Sequence, residues 1–261
     1  MFRSLNVAAT GMVAQETQLD TISNNLANAN TVGYKSQNAE FEDLLYQSVR
    51  TAGPTDGGNM APTSTQVGTG SRVVAIARSF SQGAMQQTGN PLDLAIEGNG
   101  FFSVMRLNGE PAYTRAGTLK LDAQGRITTS DGLPVQPQIT VPTDATSLTI
   151  GSDGTVTAVE PNQKAPATLG QIQITTFPNP NGFNDLGHNL FEATAASGQP
   201  VTGVPGVDGR GTILQGATEA SNVEVVNEMV SLISAQRGYE INSKVVAAAD
   251  EMLRDATQMQ S

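Results

Sequence analysis

The stretch that decides the fold is Leu5-Asn-Val-Ala-Ala-Thr-Gly-Met-Val-Ala-Gln-Glu-Thr-Gln-Leu-Asp-Thr-Ile-Ser-Asn-Asn-Leu-Ala-Asn-Ala-Asn30, near the start of a 261-residue chain. Its apolar or small residues recur at alternating spacings of three and four, typical of a coiled-coil-like helix seam. Gln15 interrupts the pattern, whose members are Leu5, Ala8, Met12, Leu19, Ile22, Leu26 and Ala29. We predict a helix that ends near Asn30 and is about 38 Å long.

The C-terminal segment, residues 223–259, has a helical pattern with two apolar stripes. Ser221 and Asn222 are suitable N-cap residues, and Glu224 in the first turn suits the helix dipole. The first stripe shifts phase near residues 236–238 and comprises Val223, Val226, Val230, Ile233, Ile241, Val245, Ala248, Met252 and Met259. The second stripe comprises Val225, Met229, Leu232, Tyr239, Val246, Ala249 and Leu253.

Two stripes need cover on two sides of a helix, and one N-terminal helix covers only one side. Further copies of the chain are the simplest cover for the other stripe, and the alternative is that the β-rich body of the same chain covers it. Gly11 and Gly238 lie inside these helical patterns, where glycine costs about 1 kcal/mol relative to alanine. They indicate simple tolerance, the close approach of another helix backbone, or a bend at the phase shift.

Between the helices the sequence changes to short β-branched runs separated by turn dipeptides. Asn, Asp and Gly tolerate the positive φ of primed hairpin turns, so we predict a mainly antiparallel β domain built from hairpins. The strands are predicted within residues 72–77, 92–96, 101–105, 147–150, 155–159 and 171–175. The turns are predicted at Asn99-Gly100, Asn108-Gly109, Asp131-Gly132, Asp153-Gly154, Asn181-Gly182 and Asp208-Gly209.

The expected fold class is α+β, with the N- and C-terminal helices paired as a coiled-coil-like domain and the antiparallel β domain between them. Residues 51–70 are rich in Gly, Pro and Thr and are predicted to form a loop or linker. The expected boundaries are residues 1–30 with 222–261 for the helical domain, 31–70 for a connecting segment and 71–221 for the β-rich domain.

The composition excludes several classes of function. The formal net charge of −10 disfavours nucleic acid and anionic lipid as partners. The sequence contains no cysteine, and His188 is its single histidine, so we predict no catalytic, cofactor or metal site and place His188 in a polar loop. The first residues lack the apolar run of a secretory signal, and no stretch reaches the roughly 18 apolar residues of a membrane span.

Three segments together resemble the rod and hook subunits of the bacterial flagellum, the family of flagellar axial proteins. The first is Ile22-Ser-Asn-Asn-Leu-Ala-Asn-Ala-Asn-Thr-Val-Gly-Tyr-Lys35. The second is Leu94-Ala-Ile-Glu-Gly-Asn-Gly-Phe-Phe102 with Tyr113-Thr-Arg-Ala-Gly117 and residues 121–126, and the third covers residues 221–253. Within the family, residues 41–47, the linker and Gln66-Val-Gly-Thr-Gly70 look like the distal-rod members. Gly238 departs from the pattern, because relatives commonly have alanine there.

The resemblance implies a structural subunit rather than an enzyme. Such a subunit would leave through the flagellar type III export apparatus without a cleaved signal peptide. It would assemble helically into the hollow, rigid distal rod, which spans the periplasm to the outer membrane, transmits motor torque to the hook and carries exported subunits. The helices would pair and line the inner tube, the segment after Asn30 would bridge neighbours, and the β domain would form the outer wall.

The expected partners are other copies, proximal rod proteins, hook protein, the rod or hook cap and the P-ring and L-ring proteins, with no nucleic acid and no membrane insertion. We expect assembly contacts at Leu5, Met12, Leu19, Ile22, Asn25, Leu26, Asn28, Val226, Val230, Ile233, Tyr239, Ile241, Val245, Met252 and Leu253.

Two alternatives remain open at this point. One is a proximal rod subunit of the same family, which copy number and position in isolated basal bodies would distinguish. The other is a soluble β-rich binding module or hydrolase with incidental helical tails, which would carry a concave polar pocket.

Overall fold

The computed structural model describes residues 2–50, 53–54, 60–61, 63–160 and 166–258. The chain forms two compact units. The helical unit contains Met1–Ala27, Gln37–Arg78 and Glu224–Ser261, and the β unit contains Asn28–Ser36 and Ser79–Val223. Two long helices lie at the ends of the chain with a mostly antiparallel β domain between them, which confirms that part of the predicted fold class.

The helices are α1 (Phe2–Ala27) and α2 (Val225–Gln258), and a short 3₁₀ helix spans Pro180–Gly182. The strands are β1 (Gln37–Asp43), β2 (Gln47–Arg50), β3 (Gly53–Pro54), β4 (Met60–Ala61), β5 (Thr65–Val67), β6 (Ser71–Arg78), β7 (Met85–Gln87), β8 (Leu94–Glu97), β9 (Phe101–Met105), β10 (Pro111–Thr114), β11 (Leu119–Leu121), β12 (Ile127–Thr129), β13 (Val135–Gln136), β14 (Ser147–Ile150), β15 (Thr155–Val159), β16 (Ala167–Gln171), β17 (Ile174–Thr176), β18 (Asn184–Gly187), β19 (Leu190–Glu192), β20 (Val201–Gly203), β21 (Thr212–Gln215) and β22 (Ala217–Glu219).

The helical unit combines both helices with a two-stranded antiparallel ribbon, β1 and β6. α1 packs against α2 and against both strands of the ribbon. At the start of β6 the backbone comes so close to α1 that a Cβ on Gly70 would lie 2.1 Å from the hydroxyl oxygen of Thr10. Gly70 also has a φ of +120°, so glycine meets both the steric and the conformational requirement there.

The β unit is built around a seven-stranded antiparallel sheet with the order β18-β19-β10-β9-β17-β20, in which β13 also pairs with β9. Its main core contains aliphatic side chains such as Leu94, Ile96, Val104 and Ile174. A second cluster is aromatic, with ring centroids 4.6–6.3 Å apart, mostly edge to face. Its members are Phe80, Phe101, Tyr113, Phe177, Phe183 and Phe191.

The helix boundaries differ slightly from the prediction. α1 ends at Ala27 rather than near Asn30, and α2 begins at Val225. The predicted N-cap residues do not cap α2, because both side chains bond elsewhere: Ser221 accepts a hydrogen bond from the Val223 amide, and Asn222 donates to Ser79 and Ser81. α2 runs without interruption through the phase shift. Met259, which the pattern placed at the end of a stripe, lies outside the described residues.

The turn prediction is right about position more often than about type. Asn108-Gly109 and Asp153-Gly154 join hairpin partners, but among the predicted pairs only Asp208-Gly209 has positive φ at both residues. That turn joins β20 to β21, which pair with other strands. Asn181-Gly182 falls in the 3₁₀ helix. The β18–β19 hairpin instead turns at His188-Asn189, with φ of 53° and 57°, a conformation that Asn and His tolerate better than most residues.

The predicted linker, residues 51–70, is partly strand. β5 pairs with β2, and β3 pairs with β4, so the chain continues the ribbon as a hairpin-like extension. Strand pairing satisfies the backbone polar groups without a hydrophobic core, which is why composition alone suggested a loop. Residues 51–52, 55–59 and 62 lie outside the described part of the chain.

A buried ion cluster lies in the β unit and consists of Lys35, Arg115 and Glu219, whose side chains are at most 5% exposed. Lys35 Nζ lies 2.6 Å from one carboxylate oxygen of Glu219, and Arg115 Nε lies 2.5 Å from the other. The amide of Gly83 donates to the same carboxylate at 2.9 Å. All its partners come from distant segments of the sequence, so the cluster links them in the folded unit.

Further N–H groups of the two cations donate hydrogen bonds to backbone carbonyl oxygens. Lys35 donates to Ser81, and Arg115 donates to Ile96, Gly98 and Gly100. Burial alone raises the pKa of Glu219, but the Arg115 charge and the hydrogen bonds from Lys35, Arg115 and Gly83 outweigh it and hold that pKa below its usual value. Burial lowers the pKa of Lys35 despite Glu219. The cluster therefore favours the charged carboxylate.

We predict that Glu219→Gln destabilises the chain by about 3–5 kcal/mol, because removing one partner leaves two buried cations without their counter-charge. Urea unfolding at pH 7, followed by circular dichroism, measures the change. Glu97→Gln is the matched control, since Glu97 is exposed, and it should stay within about 0.5 kcal/mol of the parent.

The same variant tests the pH dependence. The stabilisation by Glu219 is fully present above the pKa of an unfolded glutamate, about 4.3, and is lost as the pH falls through the lower pKa of the folded state. The stability difference between parent and Glu219→Gln should therefore shrink below about pH 4. A difference that stays constant down to acid unfolding contradicts the assigned role.

Candidate assembly surface

One face of α2 forms an exposed apolar ridge. Six residues named in the sequence as assembly contacts lie on it, and each is 42–68% exposed: Val226, Val230, Ile233, Ile241, Val245 and Met252. Tyr239, from the second stripe, is 42% exposed on a different face of the helix. Leu253 is half-buried. The ridge is exposed among the described residues, as a docking surface requires.

The opposite face of α2 packs against α1. Ala235 and Ala249 are buried there, at 3% and 1% exposure, and Leu232 and Val246 are half-buried. The two stripes recognised in the sequence therefore have different environments. The second stripe contributes to the seam with α1 only in part, because Val225, Met229 and Tyr239 are 41–53% exposed. The first stripe faces outward as the exposed ridge.

The predicted contacts on α1 are less exposed than the ridge. Ile22 is buried, whereas Leu5, Met12, Leu19 and Leu26 are half-buried. Asn28 follows α1 in the β unit and accepts a hydrogen bond from the Thr31 hydroxyl at 3.1 Å. Their contacts with neighbouring subunits stay a prediction.

Asn25 is 1% exposed and holds three parts of the helical unit together. Its side chain accepts from the Gln37 amide at 2.9 Å and donates to the Gln37 carbonyl at 2.8 Å. It also donates to the Glu228 carboxylate on α2 at 3.0 Å. The structure thus gives Asn25 a role within the chain, joining α1, β1 and α2.

Both helical glycines face polar side chains of the other helix. A Cβ on Gly11 would lie 2.9 Å from the side-chain nitrogen of Asn242, and a Cβ on Gly238 would lie 3.2 Å from Cδ of Gln15. The sequence had suggested the close approach of another helix backbone, but the nearest atoms of the other helix are side-chain atoms of Asn242 and Gln15. In the sequence, Gln15 stood out only as the polar residue that interrupts the apolar seam of α1.

A second exposed apolar area lies on the ribbon extension. Leu45, Tyr46, Val49 and Val67 are all exposed, and Leu45 is 89% exposed. An apolar groove of about 540 Å³ lies between α1 and the ribbon, lined by residues that include Ala9, Val13 and Val73. Surfaces of this kind mark contact sites for other macromolecules.

The described residues offer little that suggests chemistry. They contain no cluster of three or more His, Asp or Glu side chains suited to hold a metal ion. His188 is exposed in its turn, with Nδ1 3.5 Å from a carboxylate oxygen of Asp131. No described helix is both long and apolar enough to span a membrane.

Comparison with known proteins gives matches over most of the chain. Residues 5–35 match the profile of the flagella basal body rod protein, residues 95–158 the flagellar hook protein FlgE/F/G D1 domain, and residues 214–259 the flagellar basal body rod FlgEFG protein C-terminal domain. The chain is 48% identical to the flagellar basal-body rod protein FlgG of Caulobacter vibrioides, over 99% of this chain and 100% of the relative. Proteins of the same name from Borreliella burgdorferi and Bacillus subtilis are 45% and 40% identical, each over 99% of both chains.

The uncovered ridge and these matches define a structural subunit of the bacterial flagellum. The chain belongs to the flagellar basal-body rod protein family, and its full-length relatives cited above are named FlgG. The distal-rod assignment and the function as a structural rod subunit are thereby confirmed. Membership places the chain in the flagellar basal body and implies assembly with other rod and hook components.

We predict that Asn25→Ala destabilises the helical unit by about 2–4 kcal/mol, because it leaves the buried Gln37 backbone groups and the Glu228 carboxylate without a partner. Hydrogen exchange of amides in α1 and β1 measures the loss of protection. Asn6→Ala is the matched control, since Asn6 is exposed on the same helix. Equal protection in the two variants contradicts the role of Asn25.

Proposed function

We propose that this chain polymerises helically into the hollow, rigid distal rod, which transmits motor torque to the hook and carries exported subunits through its channel. The observation that supports this best is the ridge on α2, an apolar stripe that is exposed among the described residues. In the assembled rod, neighbouring copies would cover it.

The magnitudes favour a polymer over a simple dimer. Fully burying an aliphatic side chain contributes about 1.5–3 kcal/mol, so six half-exposed ridge residues would contribute roughly 1 kcal/mol each. Their total is comparable to the association cost of about 4–15 kcal/mol. One ridge contact alone therefore gives weak pairing, whereas a lattice in which each subunit meets several neighbours multiplies it.

The ridge and the other candidate surfaces differ from each other, which favours open growth. A contact between two unlike patches on identical chains repeats head to tail and forms a helical polymer unless the rotation closes a ring. We propose that α1 and α2 pair as a coiled coil near the channel and that residues 71–221 form the outer wall. In this scheme residues 1–30 with 222–261 form the inner domain, and residues 31–70 bridge neighbouring copies.

The proposed partners are proximal rod proteins on one side, hook protein on the other, the rod or hook cap, and the P-ring and L-ring proteins around the shaft. The subunit would cross the inner membrane through the type III export apparatus without a cleaved signal peptide and would act in the periplasm without catalysis. Immunogold labelling and copy number in isolated basal bodies measure the position of the subunit along the shaft.

The ridge is tested by Val230→Asp with Ile241→Asp, two charges on side chains that are 59% and 61% exposed in the single chain. We expect the variant to keep its circular dichroism spectrum, because the changed positions are exposed. Its critical concentration for polymerisation should rise by tenfold or more, since each buried charge costs well above the 1.4 kcal/mol of one decade. Electron microscopy for straight hollow tubes and sedimentation give the measurement.

Gln236→Asp with Ser243→Asp is the control, because both residues are exposed on the same helix and the helical period places them on a face away from the ridge. Control and parent should polymerise alike. Tubes that form from the ridge variant at the parental concentration would show that the ridge is not an interface. A parent that never forms tubes would count against the polymer itself.

We propose further that the ribbon extension adds contacts between subunits that stiffen the rod. Its exposed apolar residues, including Tyr46 and Val49, support this role. Deleting residues 51–65 should lower the bending stiffness of the polymer, measured as persistence length from electron micrographs. An unchanged persistence length would contradict the stiffening role but not the proposed polymerisation.

A further inference from the structure

The seam between α1 and α2 contains two matching contacts of opposite sense. Gly11 of α1 faces the amide group of Asn242, and Gly238 of α2 faces the amide group of Gln15. On each helix the glycine and the amide are four residues apart, which places them on the same helix face. Each helix thus offers a gap and an amide, and each gap receives the amide of the other helix.

A third polar contact continues the same alignment. Asn25 donates to Glu228 at 3.0 Å. From Gln15 to Asn25 the chain advances ten residues along α1, and from Gly238 to Glu228 it goes back ten along α2. All three contacts therefore belong to a single antiparallel register of the two helices.

The small and apolar part of the seam does not select that register. Ala235 and Ala249 are buried seven residues on either side of Asn242, and Leu232, Val246 and Leu253 recur at multiples of seven. Sliding α2 by seven residues, about 10 Å, would put alanine opposite Gly11 and keep a similar apolar seam. It would also place Gln15 opposite Ser231 or Val245 and separate Asn25 from Glu228.

We infer that the polar contacts Gly11–Asn242, Gln15–Gly238 and Asn25–Glu228 set the register in which α1 and α2 pair. Gln15, Asn25 and Asn242 are thus positioning residues. Glycine in a helix interior costs about 1 kcal/mol relative to alanine. The two glycines therefore favour this register only because their missing side chains leave room for an amide of the other helix. A polar residue at a seam position is an established way to choose one register among several apolar ones.

The register itself is independent of the proposed function. Only its consequence for assembly rests on that function. In a helical polymer every copy must present the ridge at the same height along the tube. A subunit whose α2 had moved by one heptad would present Val230 and Ile241 about 10 Å away from the site on its neighbour. A fixed register within the chain is therefore a condition for a regular interface between chains.

The absence of cysteine from the chain allows a direct test with two spin labels on the full-length, dispersed protein. Asp20→Cys and Glu251→Cys are both at exposed positions and are offset along the helix pair, so a slide changes their separation by close to its full length. Double electron–electron resonance of the labelled parent should give one narrow distance. A broad distribution in the parent would overturn the inference.

The test variant is Gln15→Ala with Asn25→Ala and Asn242→Ala, which removes the three amide side chains from the seam. We expect helix content to persist and the distance to broaden or to shift by about 10 Å in either direction. The control replaces three exposed amides, Asn6→Ala, Asn227→Ala and Gln236→Ala, and should keep the parental distance. A test variant that also keeps it would show that the chain connections alone fix the register.

An exchange variant covers the case in which the triple variant unfolds. Gly11→Asn alone crowds two amides, and Asn242→Gly alone leaves an empty gap, so each should broaden the distance. Together they restore one amide facing one glycine and should recover the narrow parental distance. Failure to recover overturns the inference. The distance is measured on dispersed protein and does not depend on polymerisation. A variant that keeps the parental distance but forms no tubes in a separate assay would count against the proposed polymer and not against the register.

Discussion

The buried carboxylate of Glu219 is the interaction on which the β unit depends. It is paired with two cations that come from segments far apart in the sequence, Lys35 and Arg115. Arg115 in turn donates to the carbonyl groups of Ile96, Gly98 and Gly100, and Lys35 donates to that of Ser81. A buried ion pair of this kind adds little net stability over an apolar core but is costly to break. It therefore acts mainly by fixing one arrangement of the chain.

The helical unit is constructed in the opposite way, with burial left incomplete. Its inner seam combines small residues with three polar contacts, whereas the ridge on α2 remains exposed. A monomeric enzyme would normally cover such a stripe, because contiguous exposed apolar surface promotes association. For a rod subunit the exposed stripe is a means of assembly, and the polar seam beneath it keeps the stripe in a defined position.

Much of this organisation was predictable from residue periodicity. The 3-and-4 spacing gave α1, the two stripes gave α2 and its surplus apolar face, and β-branched runs gave strands such as β9 and β15. Other features escaped because they depend on contacts between distant residues. Nothing local in the sequence marks Glu219 as buried, and the pairing of β2 with β5 leaves no hydrophobic pattern.

The sequence by itself determined the α+β fold class, the presence of a helix near each end of the chain and the absence of cysteine chemistry. Through its signature segments it also determined the family. Periodicity and motif are local properties, and the chain displays them before it folds. Only the tertiary structure decided which side chains of α2 face α1 and that Asn25 makes its hydrogen bonds within the chain. It also decided that Gly11 faces Asn242 and that Gly238 faces Gln15. These depend on the register of two helices whose facing ends, Ala27 and Val225, are 198 positions apart in the chain, which no local pattern of residues can specify.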